Sequence, residues 1–385
     1  MKNIGLLLSP YAPTSTNLTA MTNSSQYTTA AVALLRNLIS INSVSRGEKQ
    51  AADCLESHMR QLGLDTHREA NNIWTVSHRY DPGKPTLLLN AHIDTVRPVS
   101  TWTRQPFCPE LEDGRLYGLG SNDCGGGLVA LLQAFRLLAQ HEQPYNLVYL
   151  ASAEEEVSGR DGISRAIPLL PHIDAAIVGE PTGMQPAVAE KGLMVVDMTA
   201  HGKSGHAARG EGVNALYAAL DDLVWIRDYR FGRVSPLLGP TLMNATVINA
   251  GTQHNVVPDQ CSVVIDVRTN ELYTNEEVFD IIQSHTASEC HARSFRLHSS
   301  HIPDGHPIVE RLKRMGKKPF GSPTLSDQAL MPWPSLKLGP GDSARSHSAD
   351  EYIRIAEVED AISTYVALLD GMDMGLTMDI SEKPK

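Results

Sequence analysis

The sequence predicts an α/β fold: a mostly parallel, doubly covered sheet with an inserted α+β domain of the split βαβ (ferredoxin-like) type. Strands and helices alternate through the N-terminal half, and the strands are short continuous apolar runs, as expected for strands buried on both faces. Near residue 185 the predicted order changes to β-α-β-β-α-β, the order of the split βαβ sandwich. The length of 385 residues suits two domains of ordinary size.

These patterns divide the chain into four segments. Residues 1–25 are rich in Ser, Thr, Asn and Pro and have no apolar period, which predicts a disordered leader and leaves Met21 as an alternative start. Residues 26–184 are assigned to the first part of the sheet domain, 185–299 to the inserted domain, and 300–385 to the second part of the sheet domain.

The sheet domain begins with two predicted helices. Apolar residues recur at helical spacing over 29–41 and again over 48–62, where Gly63 ends the second helix. A Gly-rich stretch around Asp123 leads into a third helix, whose leucines keep one face apolar. A last helix is predicted over 358–369. The predicted strands of this domain are 72–77, 86–91, 147–151 and 175–178.

The inserted domain is predicted from six elements whose order differs from the alternation before it. In chain order they are strand 193–200, helix 213–226, strands 241–248 and 262–267, helix 275–284 and strand 294–298. The signals of the first domain resume after Pro307.

Composition limits the classes of function. The 33 basic and 44 acidic residues give a formal net charge of −11, which argues against a nucleic-acid surface, because binding phosphates requires clustered Lys and Arg. Five cysteines occur without a CxxC pair, so neither a disulfide framework nor a thiolate zinc site is expected. The early apolar run at 4–8 is too short for a signal peptide or a membrane span. We expect a cytoplasmic protein that acts on a small molecule, with neither nucleic-acid nor membrane partners.

Metal-competent side chains follow three of the predicted strands. His92 follows the second strand, three glutamates from Glu154 follow the third, and Glu180 follows the fourth. Because ligands bind at the carboxyl ends of the strands in such sheets, these residues and Asp123 should gather at one edge. A lone His or Asp after a strand is more often a capping residue, but independent structural roles would not produce this convergence. Carboxylates and imidazoles without Cys suit zinc, cobalt or manganese, and one carboxylate can bridge two such ions.

Five segments in series carry a more specific signal. They are His92-Ile93-Asp94, Gly120-Ser121-Asn122-Asp123, Ala153 to Gly159, Gly179-Glu180-Pro181-Thr182 and Ser346 to Tyr352. Together they resemble the metallopeptidase family of acetylornithine deacetylase, succinyl-diaminopimelate desuccinylase and carboxypeptidase G, and the resemblance runs from about residue 30 to about residue 370.

The resemblance implies a centre of two divalent metal ions. It implies that His92 and Glu180 bind one ion, that Glu156 and His347 bind the other, and that Asp123 bridges the two. The expected metal is zinc, with cobalt or manganese as alternatives.

The resemblance also implies a general base within the run of glutamates. Glu155 would be this base, with Glu156 as the metal ligand, while Asp94 would orient His92 through a hydrogen bond. In the alternative register, Glu154 is the base and Glu155 is the ligand.

The inserted domain resembles the lid of this family. In the segment 202–208, His206 is implied to stabilise the oxyanion of a tetrahedral intermediate, in relatives often across a dimer interface. Arg268 is a candidate anchor for a substrate carboxylate, because a guanidinium binds a carboxylate bidentately. Lys191 and Asn255 are further candidates for substrate binding. The expected assembly is a homodimer formed through the lid.

The implied activity is hydrolysis of the amide bond of a small N-acyl amino acid. The stretches 325–330 and 336–341 are most similar to acetylornithine deacetylases, which implies removal of an acetyl or succinyl group from ornithine or a related amino acid in arginine biosynthesis. A di- or tripeptidase or a carboxypeptidase of the same family is the alternative. A non-catalytic, metal-binding regulatory protein is the alternative from a different class.

Overall fold

The described part of the chain forms two main sheets and one small sheet. A computed structural model describes residues 16–375 of the chain. The helices are α1 (Thr16–Ile39), α2 (Lys49–Gln61), α3 (Gly126–Leu138), α4 (Ile163–Ala166), α5 (Ala215–Asp228), α6 (Asn275–His285), α7 (Pro307–Arg314) and α8 (Ile355–Leu369). The strands are β1 (His67–Glu69), β2 (Asn72–Val76), β3 (Thr86–His92), β4 (Glu110–Glu112), β5 (Arg115–Tyr117), β6 (Asn146–Ser152), β7 (Ala175–Val178), β8 (Ala187–Glu190), β9 (Met194–His201), β10 (Leu242–Ala250), β11 (Gln260–Arg268), β12 (Glu289–Ala292), β13 (Ser300–His301), β14 (Phe320–Ser322), β15 (Ser335–Lys337) and β16 (Tyr352–Arg354).

The central sheet runs in the order β1-β2-β6-β3-β7-β15-β8-β13, with β14 paired to β8. Strands β6, β3, β7 and β15 are parallel, and antiparallel pairs lie towards both edges. His92 pairs with Ser152 and Asn90 pairs with Val178, so the carboxyl ends of β3, β6 and β7 are in register. The loops that follow these three strands therefore share one edge of the sheet.

Both faces of the central sheet are covered by helices. Alternate residues of a strand point to opposite faces. Accordingly, Leu87 and Leu89 join the core formed with α1, α3 and α8, whereas Leu88 joins a second core with Ile163 and Ala166 of α4. The predicted α/β class with a mostly parallel central sheet is confirmed.

The inserted segment forms a separate antiparallel sheet in the order β10-β11-β9-β12, covered by α5 and α6. This is the predicted split βαβ arrangement. The last strand of this sheet is β12. The prediction of a strand over 294–298 was wrong. The carbonyl oxygens of Phe295 and Leu297 accept hydrogen bonds from the Asn275 side chain at the start of α6, so this segment is tied to a helix end rather than to a strand.

Two predicted boundaries differ from the structure. Helix α1 begins at Thr16, so residues 16–25 of the predicted leader are helical, while residues 1–15 lie outside the described part of the chain. Extending a helix costs less than starting one, so the turns packed from Tyr27 onwards carry the helix through this polar stretch. Residues 187–190, which the sequence assigned to the inserted domain, form strand β8, which is fully buried and pairs within the central sheet. None of the described helices is long and apolar enough to cross a membrane.

Candidate metal centre

His92 is the last residue of β3 and is 2% exposed. Its Nδ1 lies 2.9 Å from the Asp94 carbonyl oxygen, which can only accept, so Nδ1 carries the proton. The other ring nitrogen, Nε2, then faces Asp123 Oδ1 at 3.2 Å and Glu180 Oε1 at 3.7 Å. In the neutral ring Nε2 is a hydrogen-bond acceptor, and it faces carboxylate oxygens that are also acceptors. A cation between Nε2 and these oxygens would satisfy all of them.

Asp123 lies between two imidazoles. Its Oδ1 is 3.2 Å from His92 Nε2, and its Oδ2 is 3.7 Å from His347 Nε2. One carboxylate that offers an oxygen to each side has the geometry of a bridging ligand. Asp123 sits in a tight turn, Ser121–Gly125, between β5 and α3.

The Glu351 carboxylate holds this turn. It accepts hydrogen bonds from the backbone N–H groups of Gly120 at 3.2 Å, Asn122 at 2.8 Å and Asp123 at 2.9 Å. Burial raises the pKa of Glu351 to about 8, and the three N–H donors oppose this rise. Glu351 belongs to the motif Ser346 to Tyr352, but the sequence pattern alone indicates no role for it.

The glutamates after β6 point in different directions. Glu155 Oε2 lies 4.0 Å from His92 Nε2, and Glu156 Oε2 lies 2.9 Å from His347 Nε2. Glu154 instead packs against Gly159, where an added Cβ would meet Glu154 Oε2 at 1.7 Å. The structure therefore brings Glu155 and Glu156 into the centre and leaves Glu154 outside it.

Asp94 connects the loop after β3 with the turn after β6. Its Oδ1 accepts a hydrogen bond from the Glu155 N–H at 3.0 Å, and its Oδ2 accepts from the Glu156 N–H at 3.3 Å. The Ser45 hydroxyl donates to Oδ2 at 2.7 Å. Asp94 orients His92 through its backbone carbonyl, since its carboxylate Oδ1 lies 3.6 Å from the ring nitrogen.

The protonated forms of several acidic and imidazole groups of the centre are favoured over their deprotonated forms. Burial and the nearby Asp123 raise the pKa of Glu180 to about 8, and burial raises the pKa of Glu155 well above its usual range. Glu180 Oε1 is buried and has no hydrogen-bond partner. The hydrogen bond that His347 donates to the Glu156 carboxylate raises the pKa of His347 to about 9. Carboxylates and imidazoles crowded together in these protonation states suit divalent cations, which would supply positive charge between them.

Cys124 also lies beside the centre. Its Sγ is within 4.8 Å of ligand atoms of His92 and Glu180, and it donates a hydrogen bond to the Gly179 carbonyl oxygen at 3.1 Å. Cysteine spacing gave no indication of this position, because Cys124 reaches the centre alone rather than as one of a pair.

A cavity of about 620 Å³ opens over the centre. Asp123, Glu155, Glu156, Glu180 and His347 line it. Two further groups complete much of the lining: Phe320, Ser322, Pro323, Thr324, Leu325 and Lys337, and also Asp342, Ser343, Arg345, Ser346 and Glu357. Lys337 was not among the candidate site residues, because a lysine inside an apolar strand has no distinctive sequence pattern.

The candidate residues of the inserted domain do not line this cavity in the described structure. His206 is exposed and accepts a hydrogen bond from the Ala208 N–H at 3.2 Å, and the neighbouring Asn255 is exposed as well. Arg268 forms an ion pair with Asp266 at 2.8 Å. Lys191 donates to the Pro240 carbonyl oxygen at 2.9 Å, and burial and the nearby Arg268 lower its pKa.

The sequence is similar to that of a curated acetylornithine deacetylase from Proteus mirabilis (strain HI4320). The two are 30% identical over 300 residues, which cover 72% of this chain and 77% of the relative.

Solved structures share the fold. A tripeptidase from Staphylococcus aureus subsp. aureus Mu50 matches with a TM-score of 0.70 at 21% identity and covers 89% of this chain and 98% of its own. A dinuclear metal-binding peptidase from Bacillus subtilis matches with a TM-score of 0.67 at 15% identity and covers 90% of this chain and 100% of its own. At these identities the likeness concerns the fold.

The sequence profile of one family matches residues 88–371, a span that contains all of the metal-centre residues described above. This confirms the resemblance that the motifs indicated. The chain belongs to the peptidase family M20/M25/M40.

Proposed function

We propose that the protein is a two-metal amidohydrolase that removes an acetyl or succinyl group from ornithine or a related amino acid, as a cytoplasmic enzyme of arginine biosynthesis. The observation that carries the proposal is the position of the Asp123 carboxylate, between His92 Nε2 at 3.2 Å and His347 Nε2 at 3.7 Å, with Glu155 beside it. The named activity of the Proteus mirabilis relative supports the choice of substrate.

His92 and Glu180 would hold one ion, Glu156 and His347 would hold the other, and Asp123 would serve both. The donor set suits zinc, with cobalt or manganese as alternatives. When bound, such ions polarise the amide carbonyl and lower the pKa of water towards neutrality.

Glu155 would act as the general base. It takes a proton from the attacking water and delivers it to the amine that leaves. Asp94 positions this base, because its carboxylate accepts hydrogen bonds from the N–H groups of Glu155 and Glu156. The same residue orients His92 through its carbonyl oxygen.

The inserted domain would complete the active site as a lid. We assign His206 to the oxyanion, Arg268 to the substrate carboxylate, and Lys191 and Asn255 to further substrate contacts. Since these residues do not line the cavity in the described structure, they would reach it by lid closure or from a second subunit.

The outer surface of the inserted domain favours a homodimer. Strand β10 is the edge of its sheet, and Val247 and Ile248 are 47% and 50% exposed. Tyr217, Leu220 and Val224 on α5 are also exposed. An unpaired edge strand with apolar side chains is a template for pairing with another chain.

A di- or tripeptidase or a carboxypeptidase is the second candidate, and membership of a peptidase family favours it. Protein loaded with zinc or cobalt would be assayed with N-acetylornithine, N-succinylornithine and a set of dipeptides. We expect release of ornithine to be the faster reaction. Faster cleavage of dipeptides would support the peptidase, and no turnover with two ions bound per chain would support a non-catalytic, metal-binding protein.

A further inference from the structure

Part of the cavity lining is cationic. Lys337 in β15 is 2% exposed, yet it lines the cavity together with Ser322 and Thr324. Its ammonium group forms an ion pair with Glu190 Oε2 at 3.0 Å. Glu190 is fully buried and is not among the lining residues. Of this ion pair, therefore, Lys337 lines the cavity and Glu190 lies behind it.

The hydrogen bonds of Lys337 lead to a hydroxyl group in the cavity. Beside its bond to Glu190, Nζ donates to the Thr324 carbonyl oxygen at 2.9 Å, and its third hydrogen is shared by Thr324 Oγ1 at 3.2 Å and Ser322 Oγ at 3.3 Å. Ser322 Oγ lies 2.9 Å from Thr324 Oγ1 and can donate to it. Thr324 is exposed, and with Ser322 as the donor of this pair the hydroxyl hydrogen of Thr324 is available to a ligand and is polarised by the ammonium behind it.

An anionic ligand suits this donor best. Burial alone lowers the pKa of Lys337, but Glu190 and Glu180 outweigh burial and raise it, so the ammonium stays protonated. Lys337 and Glu180 line the same cavity, and the Glu180 charge is one of those that raise the pKa of Lys337. A carboxylate only accepts hydrogen bonds and gains most from donors backed by a charge, whereas a methyl group gains nothing from such a donor.

We infer that Thr324, backed by Lys337 and Ser322, binds a carboxylate at the far end of the acyl group, so that the enzyme prefers dicarboxylic acyl groups of the succinyl type to acetyl. The inference rests on the proposed deacylase function. The carboxylate of the amino acid itself is assigned to a separate anchor, Arg268.

The test compares Thr324→Val with Thr324→Ser in the zinc-loaded enzyme. Valine keeps the shape of threonine and removes the hydroxyl, while serine keeps the hydroxyl. In Thr324→Val we expect kcat/KM for N-succinylornithine to fall by roughly tenfold or more, as for a lost charge-assisted hydrogen bond, while kcat/KM for N-acetylornithine changes little. Thr324→Ser should retain the succinyl preference. Thr66→Val is the matched control, since Thr66 lies between α2 and β1 and does not line the cavity.

Binding of the free acids gives a readout that does not depend on turnover. Calorimetry with the zinc-loaded protein should show tighter binding of succinate than of acetate, and Thr324→Val should remove the difference. Equal affinity of the unaltered protein for both acids would overturn the subsite, even if both acylornithines are hydrolysed. Equal losses on both acylornithines would also overturn it, because Thr324 would then serve the carboxylate that the two substrates share.

A second variant tests the charge behind the hydroxyl. Lys337→Met alone would leave Glu190 buried without a partner, so Lys337→Met is combined with Glu190→Gln, which removes both charges at similar volume. We expect this double variant to unfold at a temperature close to that of the unaltered protein and to lose the succinate preference. A folded double variant that keeps the preference would contradict the assignment of Lys337.

Discussion

The chemistry of the centre depends on which way each acidic side chain points. Three glutamates follow β6 in sequence, but only Glu155 and Glu156 reach the imidazoles, because the turn that starts at Glu154 directs the first side chain towards Gly159. Asp94 fixes this turn by accepting two backbone hydrogen bonds from it. The proposed roles of Glu155 as base and Glu156 as ligand therefore depend on one local turn.

Replacing Glu155 by Gln should separate catalysis from metal binding. The amide keeps the size of the side chain but cannot take a proton, so turnover should fall by about 10²–10⁴-fold. The metal content after dialysis, measured by atomic absorption, should remain at two ions per chain.

Glu154→Gln is the matched control for this substitution, because Glu154 lies outside the centre. It should leave turnover nearly unchanged. If Glu154→Gln were the inactive variant and Glu155→Gln lost metal instead, the alternative register would be correct.

At the scale of the elements, apolar runs made the strands predictable. Strand β7 has the predicted bounds, because all four of its residues are buried and all four are apolar in the sequence. The four-residue strand β12 carries polar residues on its exposed side and gave no signal of comparable strength. Likewise, family motifs indicated the metal-centre residues, but neither motif nor period indicated the roles of Glu351 and Lys337, since a buried polar side chain depends on contacts made by distant parts of the chain.

The edge strand β10 supports a prediction about assembly. Ile248→Lys places a charge on the exposed edge of the inserted sheet, and a charged edge disfavours pairing with a second chain. Sedimentation velocity should show a dimer for the unaltered protein and a monomer for this variant. Val99→Lys, at another exposed apolar position, should remain dimeric. A monomeric unaltered protein would rule out the homodimer.

At the scale of the whole molecule, the buried acids of the centre link stability to pH when the metal is removed. The pKa of Glu180 is raised from 4.5 to about 8, so the folded state keeps a proton that the unfolded chain has already lost. Unfolding then releases a proton between these two values, and the free energy of unfolding falls as pH rises through them. His347, whose pKa is raised from 6.5 to about 9, acts in the same direction over its own window.

We therefore expect chelator-treated protein to lose stability as pH rises from about 5 to about 9. Urea unfolding at a series of pH values would measure this slope. Zinc-loaded protein should lose less, because the ions hold the carboxylates ionised and the imidazoles neutral in the folded state. Glu180→Gln has no proton to release there and should reduce the slope of the metal-free protein. A flat profile for the metal-free protein would contradict the expectation.

The anchoring of the Asp123 turn by Glu351 also has a consequence for synthesis of the chain. The two residues are 228 positions apart, and His347 lies only four residues before Glu351. On the ribosome, the central strands and the whole inserted domain emerge before either of these late residues. A nascent chain would thus form most of its architecture before the proposed pair of metal sites is complete, so capture of the ions would belong to the last stage of its production.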